Sequence, residues 1–242
     1  MPLSQDDNPF TGPLAPEYEL LRLICPNHPL LALRLADHVA AWRPGARLHG
    51  FEIGCGTGIS TRALLAARRD LSLFAVDSAA KMLDQARVNL SGEVAEGRVN
   101  FLEGDALEAL RAQGEARFDV VVSTYATHNF RADYREAVFS EVLRVLKPGG
   151  LFANGDRFAL DDAEAHLAAT QSDLRHWFRT FGEMKRYDLL EDWVVHLYSD
   201  ESPQRIMRFT PALETLRRLG FVETRSEFRD GVDTLLVAQK PN

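Results

Sequence analysis

The sequence predicts an α/β fold: a doubly wound, seven-stranded, mainly parallel sheet with a terminal antiparallel hairpin, N-terminal helices and a helical insertion. Three observations predict it. Short apolar runs alternate with helix-length stretches from about residue 47 to 156, the rhythm of strands joined by helical crossovers. Two of these runs, LSLFAV (71 to 76) and DVVVS (119 to 123), are continuously apolar, as strands buried on both faces are. The chain then closes on two strand-like segments joined by Arg229-Asp230-Gly231-Val232, a hairpin signal.

Taken in order, residues 1 to 12 are rich in Pro and Asp and read as loosely ordered. Residues 17 to 42 read as helix in two pieces, broken at Pro26 and Pro29. A strand at 47 to 54 leads through a glycine loop into a helix at 57 to 69. Strand 71 to 77, helix 78 to 90, strand 98 to 104, strand 118 to 125, helix 131 to 146 and strand 150 to 156 follow. In LKPGGLF (146 to 152), Pro148 and two glycines end the helix and start the strand. Residues 161 to 200 read as helices rich in Trp, Phe, Tyr and His. The helix TPALETLRRLG (210 to 220) and the strands FVETRSEF and DTLLVAQK complete the chain.

With 242 residues and 45% hydrophobic content, one elaborated domain with a single substantial core is expected. The net charge of −7 argues against a dedicated nucleic-acid or anionic-membrane surface, leaving Arg62, Arg68 and Arg69 as a local basic patch. Cys25 and Cys55 offer neither metal-site spacing nor a disulfide framework. No apolar run approaches twenty residues and no basic segment precedes an apolar one, so neither a membrane span nor a secretory signal is expected and the location expected is cytoplasmic.

Chemistry enters at Phe51 to Gly58, FEIGCGTG, where Gly54, Gly56 and Gly58 alternate behind an apolar run and Glu52 stands just ahead. Such a loop turns a strand sharply into a helix and faces backbone N–H groups and bare Cα surfaces toward a ligand; the alternative is a turn that only packs strand on helix. The dinucleotide fingerprint Gly-x-Gly-x-x-Gly is excluded because Ile59 stands where its third glycine belongs, and a P-loop because no Gly-Lys-Ser/Thr follows. Asp77 ends the next strand, placed to accept both hydroxyls of a ribose, and also reads as the N-cap of a helix beginning at Ser78. VNFLEGDAL (99 to 107) ends in Gly104 and Asp105, again a cap position.

The E-x-G-x-G-x-G loop, the acidic strand ends and the KPGG turn together resemble the signature of the class I S-adenosylmethionine (SAM) dependent methyltransferases, a Rossmann-like family, in its small-molecule type. The resemblance implies SAM as cofactor, with Gly54, Gly56 and Gly58 against its methionyl and adenosyl parts and Glu52 near the methionine amino group. Asp77 would take the ribose, and Asp105 and the Ala106 backbone the adenine. Thr57, Ser78, Met82 and Ser123 complete the implied cofactor set. It also implies that residues 43 to 156 form the SAM-binding core, that the seventh strand lies between the fifth and sixth, and that 1 to 42 and 157 to 209 enclose the substrate, with 210 to 242 completing the sheet.

The implied reaction moves a methyl group from SAM to an oxygen or nitrogen of a small molecule; which acceptor, and the oligomeric state, are not legible. One alternative is an enzyme of the same fold that remodels the cofactor, as carboxy-SAM synthases do, for which an arginine in the pocket, Arg157 or Arg22, would hold the added carboxylate. The other is a non-catalytic SAM-binding subunit, favoured if no cavity stands beside the cofactor.

The segment STYATHNF (123 to 130) lacks the Asn/Asp-Pro-Pro-aromatic motif of amino-group methylases and the Pro-Cys of cytosine carbon-5 methylases. It offers Tyr125, Thr127, His128 and Asn129. His128 reads as a general base or as a hydrogen-bonded wall of the site. A second set, Trp177, Tyr187, Trp193, His196 and Tyr198, lies near Asp192 and Asp200. Asp192 and His196 are four apart, so on a helix the carboxylate would orient His196 as a second catalytic candidate; alternatively Trp193 and Leu197 form a buried stripe and His196 is a satisfied histidine. Asn154, Asp156, Asp161 and Asp162 invite a Mg²⁺ reading, but Asn129 is a poor further ligand and no metal is expected.

Overall fold

The computed structural model describes residues 20–242; residues 1 to 12, whose composition reads as loose, and the helix start read at residue 17 lie outside the described residues, as does the Arg22 side chain. The chain runs α1 (Leu21–Ile24), α2 (Asn27–Ala41), β1 (Leu48–Ile53), α3 (Ile59–Ala67), β2 (Leu71–Asp77), α4 (Ala80–Asn89), α5 (Ser91–Ala95), β3 (Val99–Glu103) and α6 (Ala106–Arg111). It continues through β4 (Phe118–Thr124), a single 3-10 turn (Thr127–Asn129), α7 (Ala132–Val145), β5 (Leu146–Arg157), α8 (Ala163–Glu183), α9 (Tyr187–Asp200), α10 (Phe209–Leu219), β6 (Val222–Asp230) and β7 (Asp233–Gln239).

The seven strands are ordered β3-β2-β1-β4-β5-β7-β6. Every pairing from β3 to β5 is parallel, while β7 runs antiparallel to both β5 and β6. Strand order therefore reverses between β1 and β4, and the crevice beyond their carboxyl ends is where open α/β sheets bind ligands. Central β4 is buried along its whole length, which its Val-Val-Val run requires. Its alternation divides the core: Val121 joins Phe51, Phe139, Val142 and Phe152 on one face, whereas Val120 and Val122 join Leu35, Leu64, Leu65 and Leu235 on the other. A third cluster carries Ile24 of α1, Met82 of α4, Trp177 and Phe181 of α8 and Trp193 of α9, so α8 and α9 are fastened to the core beside the first strand loops.

Several boundaries differ from expectation for identifiable reasons. The N-terminal helix breaks once, before Pro26; Pro29 lies in the first turn of α2, where a residue without an N–H loses nothing. The KPGG turn does not separate helix from strand. β5 starts at Leu146, which pairs with Phe118; a register shift then admits Pro148 and Gly149, the latter at φ +64, before Leu151 pairs with Val120. Helices α5 and α6 were not foreseen, although Asp105 caps α6 by accepting the Glu108 N–H at 2.9 Å. The basic patch does not form: Arg68 is buried and donates to the carbonyls of Val39, Trp42, Arg43 and Ala46 and to Asp70, tying the end of α2 to α3. Among the described residues no helix is long and apolar enough to cross a membrane.

Because that one guanidinium satisfies several carbonyls, Arg68→Ala is expected to lower unfolding free energy by about 3 kcal/mol, read from urea denaturation. A loss below about 1 kcal/mol would mean that water replaces it freely.

Candidate active site

All three loop glycines have positive φ: +66 at Gly54, +53 at Gly56 and +86 at Gly58. They differ in what surrounds them. A Cβ on Gly54 would stand 2.3 Å from that of Ala126, and one on Gly58 2.3 Å from Leu90 Cδ1, so these two permit close packing. A Cβ on Gly56 would instead approach only the Met82 Cε, at 3.1 Å. Both readings of the loop thus hold at different positions.

The loop is held by its neighbours. Gly54 and Cys55 donate their N–H groups to Val76 O at 2.8 and 3.1 Å, and Gly56 donates to Asp77 Oδ2 at 2.8 Å. Asp77 Oδ1 accepts from the Ala79 N–H at 2.9 Å. Asp77 is not the N-cap expected of it, since α4 starts at Ala80 with Ala79 as its cap residue; Ser78 is exposed between them. Burial pushes the Asp77 carboxyl above its ordinary range, yet the residue keeps an exposed part at the carboxyl end of β2.

Glu52 has no exposed surface. Its carboxyl oxygens accept from Ser60 Oγ at 2.5 Å and Thr61 Oγ1 at 2.7 Å, under the first turn of α3, and burial pushes its pKa up to about 7. No exposed oxygen remains for the ammonium contact expected of it. Asp105 combines its cap with a second bond, accepting from Tyr134 Oη at 2.6 Å beside Ala106.

The narrow crevice above the loop is lined by Gly54, Gly56 and Thr57 and by residues not expected there, among them His28, Ser60 and Thr124. Ser123 is not among them: it is fully buried and donates to Ile53 O at 3.2 Å, so strand alternation gives the crevice to Thr124. The DVVVST run carried that signal. His28 had none, since the break before Pro26 brings it in.

Next to the crevice lies a cavity of about 330 Å³ between α8, α9, the α1–α2 break, the loop after β4 and the β6–β7 turn. Tyr125 divides the two, its ring 4.8 Å from His28 on the crevice side and 6.0 Å from His128 on the cavity side. Its backbone sits at φ +49, and its hydroxyl donates to Asp233. Burial, together with the charge of His128, lowers the His28 pKa to about 4.

His128 is buried in the cavity wall. Its Nδ1 meets Asp156 Oδ1 at 2.5 Å, while Nε2 lies 3.7 Å from Asp200 Oδ2. Burial acts to lower the His128 pKa, but the Asp156 charge and hydrogen bond outweigh it and the net shift is upward. Asp156 Oδ2 also accepts from the Thr127 N–H at 2.9 Å and Thr127 Oγ1 at 2.6 Å, leaving the carboxylate enclosed and satisfied. Asn154 donates to Thr127 Oγ1, Asp161 accepts from Thr210 and Asp162 caps α8, so the four oxygen residues read for Mg²⁺ do not converge.

From α9, His196 Nε2 faces Asp200 Oδ2 at 3.3 Å. Asp200, not Asp192, is the carboxylate set against it, because the inward face of α9 is Leu189, Trp193, Leu197 and Asp200, with Asp192 at its margin. Trp177 and Trp193 line the cavity, but Tyr187 and Tyr198 are exposed on the far side. Arg157 also lines it, with its guanidinium paired to Glu201 at 3.0 Å and Asp173 at 3.5 Å.

Residues 51–150 match the model of the family described as Methyltransferase domain. A demethylmenaquinone methyltransferase of Leptospira interrogans is 37% identical over 110 residues, covering 45% of this chain and 43% of its own length. A carboxy-S-adenosyl-L-methionine synthase of Vibrio cholerae is 27% identical over 134 residues, 53% of this chain and 51% of its own. The chain thus aligns with about half the length of these curated relatives. An O-methyltransferase family protein from Burkholderia thailandensis shares the fold, with a TM-score of 0.64 over 93% of this chain and 59% of its own at 19% identity. Residues 51–150 thus carry a methyltransferase domain, and the comparisons support the class I SAM-dependent methyltransferase family.

The crevice residues fit the cofactor of that family. Thr57 Oγ1 and Thr124 Oγ1 are buried without a hydrogen-bond partner among the described residues, and Gly56 lines the crevice where no backbone crowds it. Gly54, Gly56 and Thr57 line the crevice and could hold such a cofactor, with Asp77 bracing the loop beside it; Gly58, Met82 and Glu52 support the loop from behind or below.

Two outcomes follow. Asp77→Ala should weaken SAM binding by about 1 to 3 kcal/mol in calorimetry, and unchanged affinity would refute this placement. For Glu52 the folded-state pKa lies above its ordinary 4.5, so its contribution to stability is complete below about pH 4.5 and is lost as pH rises through about 7. Glu52→Gln should remove that decline, a change of about 3 kcal/mol between the two limits, measured as urea midpoints across pH.

Proposed function

We propose that the protein transfers a methyl group from SAM to an oxygen or nitrogen of a small-molecule acceptor held between the sheet and the helices α8 and α9. The observation that carries this reading is the cavity of about 330 Å³ that meets the glycine-loop crevice across the His28–Tyr125 ring contact. Bound in the crevice, SAM supplies an activated methyl on a positive sulfur. The chain supplies orientation and exclusion of water: Trp177 and Trp193 wall the acceptor in, and Tyr125 stands at the junction of cavity and crevice. His128, fixed through Nδ1 by Asp156, is the residue through which the chain acts on the acceptor.

The carboxy-SAM synthase reading has support in the Vibrio cholerae relative and in Arg157 at the cavity wall. Charge opposes it. Arg157 is already matched by Asp173 and Glu201, and Asp173, Asp200, Asp230 and Asp233 all line the cavity, so an added carboxylate would meet a negative surface. A non-catalytic subunit is disfavoured because a cavity of substrate size is present.

Mass spectrometry of the purified protein tests the reading. Co-purified SAM or S-adenosylhomocysteine, with label transfer from methyl-labelled SAM to members of an acceptor library, supports it; co-purified carboxy-SAM favours the rival, and failure to bind either in calorimetry sinks both. His128→Ala should lower turnover roughly a hundredfold while leaving the SAM dissociation constant unchanged. Normal turnover would return His128 to the wall.

A further inference from the structure

We propose that His128, His196 and Asp200 form a divalent transition-metal site in the wall of the acceptor cavity. This rests on the methyltransferase reading for its purpose but not for its chemistry. One ligand atom from each residue lies within 4.8 Å of the others, with His196 Nε2 and His128 Nε2 at 3.3 and 3.7 Å from Asp200 Oδ2. His128 comes from the loop after β4 and the other two from α9, so the cluster is assembled by tertiary packing and not by a local motif.

Three further observations point to an ion. Asp156 accepts from His128 Nδ1, which fixes the tautomer and turns the Nε2 lone pair toward Asp200; metal-bound histidines are oriented by this carboxylate arrangement. Two imidazoles and one carboxylate leave coordination positions open, and all three residues line the cavity, so an acceptor has room to take one. Among the described residues the remaining wall is anionic, since Asp173, Asp230 and Asp233 line it and Arg157 there is engaged by two carboxylates. The imidazole pair selects a transition ion such as Zn²⁺, Co²⁺ or Fe²⁺ over Mg²⁺, which prefers oxygen ligands.

The site narrows the acceptor to oxygen. A hydroxyl bound at an open position releases its proton to solvent more readily, and the oxygen keeps a lone pair for bond formation. An amine bound the same way has its only lone pair committed to the ion.

The test uses tag-free full-length protein stripped with a chelator and titrated with Co²⁺ alone. One equivalent should bind with a visible d–d absorption band and be displaced by Zn²⁺. His196→Ala and the near-isosteric Asp200→Asn should each weaken Co²⁺ binding at least about a hundredfold, and Asp156→Asn about ten- to a hundredfold, with the SAM dissociation constant of the first two unchanged. Absence of stoichiometric binding, or binding that survives both His196→Ala and Asp200→Asn, overturns the metal site. Intact SAM binding alongside that result would leave the methyltransferase reading standing, so the two failures are distinct.

Discussion

The enclosed carboxylate of Asp156 is the constraint around which the acceptor side is organised. A charge taken out of water costs several kcal/mol unless it is fully hydrogen-bonded, so the loop after β4 must bring donors to it. Thr127 does so with both its N–H and its hydroxyl, and His128 with its ring. Satisfying Asp156 therefore sets the 3-10 turn, the orientation of the imidazole and the direction in which Nε2 faces. Just before this turn Tyr125 holds a left-handed backbone, its N–H donating to Gly155 O and its hydroxyl to Asp233.

On the cofactor side the same logic runs through different atoms. Asp77 holds the first loop by accepting from Gly56, while Glu52 holds α3 from underneath through two hydroxyls. Both carboxyls are pushed toward neutrality by burial, which lowers the repulsion between acidic groups on the neighbouring strands β1 and β2. The glycines complete the device. Two let backbone approach Ala126 and Leu90, and one opens the turn.

The two halves are joined by packing. Met82 lies beneath Gly56 and belongs to the same apolar cluster as Trp177 and Trp193, so the helices that wall the cavity rest on the loop that forms the crevice. Displacement of α8 or α9 is thereby felt at the glycine loop, and the Arg157 pairs to Asp173 of α8 and Glu201 just past α9 add an electrostatic tie across the same seam.

What could be read from the sequence was whatever short-range chemistry encodes. Alternating glycines state a positive-φ loop and continuous Val and Leu runs state strands buried on both faces; these located the sheet, the hairpin and the glycine loop that lines the crevice. The same local logic erred by one residue at Ser123, where alternation selects Thr124, and by one turn at Asp192, where the inward face of α9 selects Asp200. Only the tertiary structure decided the acceptor side. Asp156 finds His128 across 28 residues, and Asp200 reaches the same ring from another helix, by contacts that depend on how strands and helices pack rather than on neighbours in the chain. Loop conformation is a local property of backbone sterics, whereas a buried charge network exists only once the core has excluded water around it.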